Sequence, residues 1–158
     1  MPRAAPTAFP TLEARSLTGV DLVLPAQFPA ARAVVAVAFR RRQQADVDTW
    51  LPALLELEEL HDDLRAYELP CIGRRWSAGR RVIDGGMVAG IPDADARART
   101  LTSYTDVGAV RRTLGLRDAE EIAVVLTDRR GRIAWMGTGP WTPAAGAALA
   151  QAAAPRRR

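Results

Sequence analysis

The chain has 158 residues, 48% hydrophobic and 25% charged, which suits one soluble domain whose core needs no disulfide or metal staple. Its one cysteine, Cys71, excludes an internal disulfide and any multi-cysteine zinc or iron–sulfur site within the chain, and fits a reducing, cytoplasmic compartment. The net charge is +4 and every one of the 22 basic residues is arginine, with no lysine or asparagine anywhere, so the basicity reads as codon bias.

Arg156, Arg157 and Arg158 form a basic tail, and without it the chain is nearly neutral. A broad phosphate-binding face, and with it nucleic-acid binding, is therefore not expected. No stretch approaches the roughly 20 apolar residues of a membrane span, and the first residues lack the apolar core of a signal peptide.

Residues 1–11 carry three prolines and read as an irregular lead-in to a single domain over 12–154. Leu12–Leu17 alternates as a short edge strand would. Gly19-Val20-Asp21 suggests a turn, and Leu22–Leu24 a second extended piece. Ala33–Phe39 (AVVAVAF) is a continuous apolar run with three valines, a strand buried on both faces.

The clearest helix follows. Asp48 is a candidate N-cap, and Val47, Trp50, Leu51, Leu54, Leu57, His61 and Leu64 recur at helical steps. Glu56, Glu58, Glu59, Asp62 and Asp63 read as its solvated face. The spacing predicts an end near Tyr67, before Pro70.

Glu68–Ile72 reads as a strand and Ser77–Val88 as a loose helix weakened by Gly79, Gly85 and Gly86. Pro92-Asp93 reads as a turn, and Arg99–Thr105 as a strand. Asp106 can cap a helix over Val107–Leu114 closed by Gly115. Glu121–Thr127 is another buried strand, turned by Asp128–Gly131 into an antiparallel return over Arg132–Met136. Thr142–Ala154 is a closing helix. This order gives a mixed sheet sandwiched by helices, an α/β fold.

Four lines carry a family likeness: AVVAVAF before the long helix, YELP in the next strand, TLTSYTDVGAVRRTLGL, and EIAVVLTDRRGRIAWMGTG. Over roughly residues 12–153 the chain resembles the thioredoxin-like superfamily, with the additions found in peroxiredoxins and other redoxins. FRRRQQADVDTWLPALLEL and MGTG are also similar to the branch holding the mitochondrial ATP synthase assembly factor of the ATP10 type. The resemblance implies a three-layer thioredoxin-like sandwich.

Redox-active members of the superfamily place a cysteine where the central strand turns into the long helix, whose N-terminus favours the thiolate. Here that turn reads Arg40-Arg41-Arg42-Gln43-Gln44-Ala45-Asp46, without cysteine, serine or threonine. The cis-proline that thioredoxins carry before the strand at Glu121 is missing from Asp118-Ala119-Glu120. The arginine that peroxiredoxins use near that strand is replaced by Glu120 and Glu121. The expectation is a domain that binds and does not catalyse.

Arg40, Arg41, Arg42, Gln43 and Gln44 are the candidate ligand-binding turn. Arginine forks there could hold a carboxylate or phosphate, with Trp50 as an aromatic wall. The ordinary alternative is a solvated loop with ion-paired arginines and a core Trp50. The occupant would be a protein partner or a small anionic ligand; a homo-oligomer is compatible.

Cys71 in a strand is ordinarily a small buried hydrophobe. As a thiol peroxidase or redox sensor, its alternative role, it would need a lowered pKa. His61, the one histidine, flanks the apolar stripe and supports no metal site. Arg74-Arg75-Trp76 with Arg80-Arg81 reads as a solvated basic loop. Neither Gly85-Gly86 nor Gly137-Thr138-Gly139 has the context of a phosphate loop, and Trp135, Met136 and Trp141 read as packing between the last strand and last helix. No cofactor or metal is called for.

Overall fold

The computed structural model describes residues 8–91 and 93–155. Apolar runs bounded by turn residues supply seven strands: β1 Leu12–Ser16, β2 Asp21–Leu24, β3 Arg32–Ala38, β4 Leu64–Gly73, β5 Leu101–Thr105, β6 Ala123–Asp128 and β7 Ile133–Thr138. They form one sheet in the order β2-β1-β5-β4-β3-β6-β7. The helices are α1 Gln44–Leu60, α2 Arg80–Gly90, α3 Ala94–Arg99, α4 Val107–Thr113 and α5 Pro143–Ala153. β3 runs parallel to β4, as the strand–helix–strand order requires, and antiparallel to β6.

Both faces of the sheet are covered, so its central strands are apolar throughout. One face packs Val34, Ala36, Leu64, Ala66 and Val124 against Trp50, Leu54 and Leu57 of α1 and Leu149 of α5. The other packs Val35, Val37, Tyr67, Leu69 and Cys71 with Val110 of α4, Leu114, Phe9 and Phe28. Phe28 bridges Phe9 and Tyr67, with ring centroids 5.9 and 5.2 Å away. The result is an α/β three-layer sandwich.

Several boundaries differ from the sequence expectation. The lead-in is not wholly irregular: Ala8 bridges to Arg132 and Phe9 is core, while residues 1–7 lie outside the described residues. The basic tail, residues 156–158, also lies outside them, as does Pro92 of the expected turn. α1 ends at Leu60, not near Tyr67, and His61 is extended. Leu64 suits a helical repeat, but with Ala66 it also alternates inward as a strand does. Parallel pairing of Arg32–Ala38 with Leu64–Pro70 decides the matter. Arg32 secures the junction, its Nε and Nη2 donating to Asp63 at 2.8 and 2.9 Å.

The strand expected at Glu68–Ile72 therefore starts earlier and contains Pro70. β3 pairing stops at Pro70, and on the other side Pro70 lies between the Glu68–Thr100 bridge and the β5 ladder that starts at Cys71, a gap where its missing N–H is tolerated.

A short helix, α3, replaces part of the expected loop after Pro92. Asp93 caps it, accepting from the N–H groups of Asp95 and Ala96. Its last residue, Arg99, was expected in a strand. The loose helix near Ser77–Val88 is a 3₁₀ turn over Arg74–Gly79 followed by α2, and neither buries a side chain. The Asp128–Gly131 hairpin is present as expected, with Gly131 at φ +81°.

Candidate functional site

β3 delivers the chain to the sheet edge at Ala38, and the next residues turn into α1 through a 3₁₀ turn at Arg41–Gln43. Gln43 makes that turn. It is 2% exposed, and its Oε1 accepts from the N–H groups of Phe39 at 2.8 Å and Arg40 at 3.1 Å. Its Nε2 donates to the Ala119 carbonyl at 2.7 Å. The side chain supplies the N3 half of a capping box on the 3₁₀ turn and pins the turn to the segment before β6; α1 follows directly from Gln44, ahead of the expected cap at Asp48.

The antiparallel register explains that neighbour. Val37 pairs with Ala123, and the same register continued beyond the strands sets Glu120 opposite Arg40. Arg40 Nη2 meets Glu120 Oε1 at 2.9 Å, and Arg42 Nη2 holds Glu120 Oε2. All three side chains are about half exposed. Arg41 is exposed; its carbonyl accepts from the Gln44 N–H, and its side chain has no hydrogen-bond or ion-pair partner among the described residues.

The other two candidates serve differently. Gln44, exposed at the start of α1, donates from Nε2 to Asp48 Oδ1 at 2.9 Å. Trp50 is fully buried, and its Nε1 donates to the Gly139 carbonyl at 2.9 Å. It ties α1 to the loop after β7 and offers no wall to a ligand. The structure therefore sets Arg40, Arg41 and Arg42 at the surface, joins Arg40 and Arg42 through Glu120, and buries Gln43 and Trp50.

Cys71 lies on the opposite face of the sheet from α1, within the α4-side core at 2% exposure. Burial pushes its thiol up to about 12. Trp135 packs toward α1 and α5, with its ring 6.0 Å from that of Trp50, while Met136 packs on the other face. Trp141 remains 39% exposed over Gly146, and its N–H donates to Thr49 Oγ1 at 2.9 Å.

In the basic 74–81 segment, Arg75 lies over the Trp76 ring and Arg80 over the Tyr104 ring. Among the described residues no cluster of three or more His, Cys, Asp or Glu could hold a metal ion, and no helix is long and apolar enough to cross a membrane.

Sequence reasoning missed two polar features. Glu68, half-buried on β4 on the α1 side, has its carboxyl pushed up by burial and by the Asp48 charge, against the opposing Gln44 hydrogen bond. Arg99, 6% exposed, ties Glu58 of α1 and Asp95 of α3 to β4. Glu58 had been read as part of a solvated face. Asp95 and Arg99 carry a local signal as an i,i+4 pair, but the Glu58 partner of Arg99 and the Asp48 charge near Glu68 are distant in the chain and give none.

The order and packing define a class: the fold is thioredoxin-like. Solved structures with this fold cover nearly the whole chain. The thioredoxin domain of a thiol-disulfide oxidoreductase from Bacteroides vulgatus is 15% identical, with TM-score 0.58 over 95% of this chain and 97% of that one. A thiol:disulfide interchange protein from Bacteroides sp. is 19% identical, with TM-score 0.58 over 86% and 82%. StoA from Bacillus subtilis is 11% identical, with TM-score 0.55 over 93% and 98%. No family model and no curated protein matches the chain.

Proposed function

We propose that this is a redox-inactive thioredoxin-like domain that works by binding, with the Arg40–Gln44 turn as the place where it engages an anionic group of a protein partner or small ligand. The supporting observation is the pairing of two facts: three exposed arginines lead into α1, and the single thiol is sealed in the core on the other face of the sheet. A thiol that burial pushes up to about 12 is held protonated at neutral pH, which leaves a Cys71 peroxidase almost no nucleophile. The single cysteine also suits a reducing, cytoplasmic setting.

Insulin-reduction and peroxide-consumption assays test this reading. The expected result is no turnover above that of Cys71→Ala, together with slow thiol labelling of the native protein that denaturant accelerates. Turnover that Cys71→Ala removes would overturn it. An assembly-factor role of the ATP10 type is the form such binding takes if the partner is a subunit of a membrane complex. Co-purification from native lysate tests that, and a lysate yielding no such subunit counts against it.

A further inference from the structure

We propose that Glu120 is a tethered self-ligand: it fills an arginine clamp whose external occupant is a carboxylate, and binding proceeds by exchange with it. This rests on the reading of the Arg40–Gln44 turn as a binding site.

The geometry of the clamp carries the inference. Arg40 and Arg42 flank the start of one 3₁₀ turn, and each takes a different oxygen of the same carboxylate. The two guanidiniums are therefore already placed to take the two oxygens of one carboxyl group. The backbone that carries them is preset, because Gln43 locks the turn to the Phe39 and Arg40 amides and to the Ala119 carbonyl, and Arg40 Nε also donates to that carbonyl at 3.4 Å. A clamp held open in this way loses little freedom when a second carboxylate replaces the first.

The occupant, in contrast, is weakly held. Glu120 and both arginine side chains are 50–60% exposed, a setting in which each ion pair is worth roughly 1 kcal/mol or less. The Glu120 backbone is fixed independently, its N–H donating to Asp118 Oδ1 at 2.9 Å, so the side chain can leave without unfolding its segment. Two guanidiniums hold one seated carboxylate, and the exposed Arg41 between them in sequence adds positive charge that keeps the turn attractive to a further anion. Arginine forks take carboxylates and phosphates alike; a carboxylate is the inferred occupant because Glu120 already seats one, one oxygen on each arginine.

The test titrates wild type, Glu120→Gln, and Glu120→Gln combined with Arg40→Gln and Arg42→Gln, using a capped oligoglutamate peptide and, separately, glutarate. Calorimetry and the arginine Nε–H signals in ¹H–¹⁵N spectra report binding. Glu120→Gln should bind roughly fivefold tighter than wild type, and the added arginine changes should abolish that gain. Saturating Glu120→Gln should return the Arg40 and Arg42 signals toward their positions in free wild type. A response to the peptide alone supports a protein partner as the source of the carboxylate; an equal response to glutarate supports a small acid. Equal affinities for wild type and Glu120→Gln would sink the self-ligand idea and leave the binding site standing. Absence of binding by both would sink the site itself. Tightening that survives loss of both arginines would put the peptide elsewhere and overturn the clamp.

Discussion

Replacing Arg99 by methionine should destabilise the protein by about 2–3 kcal/mol at neutral pH, with a deficit that shrinks in acid. Arg99 Nη1 donates to Glu58 Oε2 at 2.7 Å and to the Ala66 carbonyl at 3.1 Å, and Nη2 donates to Glu58 Oε1 at 3.3 Å and Asp95 Oδ2 at 2.6 Å. Methionine fills a similar length of core and removes only the charge and the donors. Breaking a fully buried pair costs about 3–5 kcal/mol. Glu58 is 21% exposed and keeps the Ala66 N–H at 2.9 Å, so the cost falls toward or below that lower limit. Asp95, 63% exposed, adds under about 1 kcal/mol.

The pH dependence follows from the two carboxyls. Burial pushes Glu58 up, but Arg99 and the Ala66 N–H outweigh it and hold the group below 4.5. Arg99 likewise holds Asp95 below 3.8. A depressed carboxyl stabilises fully above its unfolded-state value and loses that contribution as pH falls through its folded value. In Arg99→Met, burial acts on Glu58 unopposed by the arginine, so acid relieves the variant by protonating it. Urea unfolding followed by circular dichroism should give the largest gap between the proteins near pH 7 and a smaller one below about pH 4. A gap of less than about 0.5 kcal/mol at pH 7, or one that does not change with pH, would refute the reasoning.

Gln43→Ala removes the acceptor of the Phe39 and Arg40 amides and the donor to Ala119; it should cost about 2 kcal/mol and speed hydrogen exchange at Phe39. Unchanged exchange there would mean that Gln43 does not hold the turn. Gly131→Ala puts a Cβ at φ +81°, 3.2 Å from Pro25 Cγ and 3.4 Å from the Phe9 carbonyl oxygen. The strain should cost about 1–2 kcal/mol, seen as a lower Tm, and a Tm equal to wild type would contradict it.

The elements legible in the sequence were those fixed by their own residues. AVVAVAF is apolar on both faces because α1 and α5 cover one side of β3 and α4 the other. The hairpin at Gly131 announced itself because its left-handed backbone needs glycine. α1 was overextended because Leu64 satisfies a helical repeat and a strand alternation at once, and only pairing with β3 separates them. α3 escaped because a helix of six residues has too little periodicity to detect.

The site divides along the same line. That a turn rich in arginine and glutamine follows the central strand is visible locally; that Gln43 and Trp50 face inward is not, since each is fixed by a carbonyl far along the chain, at Ala119 and Gly139. Yet the main long-range contact is implied by topology. Once β6 is placed antiparallel beside β3 with Val37 opposite Ala123, the register allows Arg40 no nearer cross-strand neighbour than Glu120. The arginines of the turn and the acidic residue before β6 are therefore one feature written in two places. The charge of either is interpretable only with the other, and any ligand that reaches the arginines must first contend with the carboxylate the fold has set there.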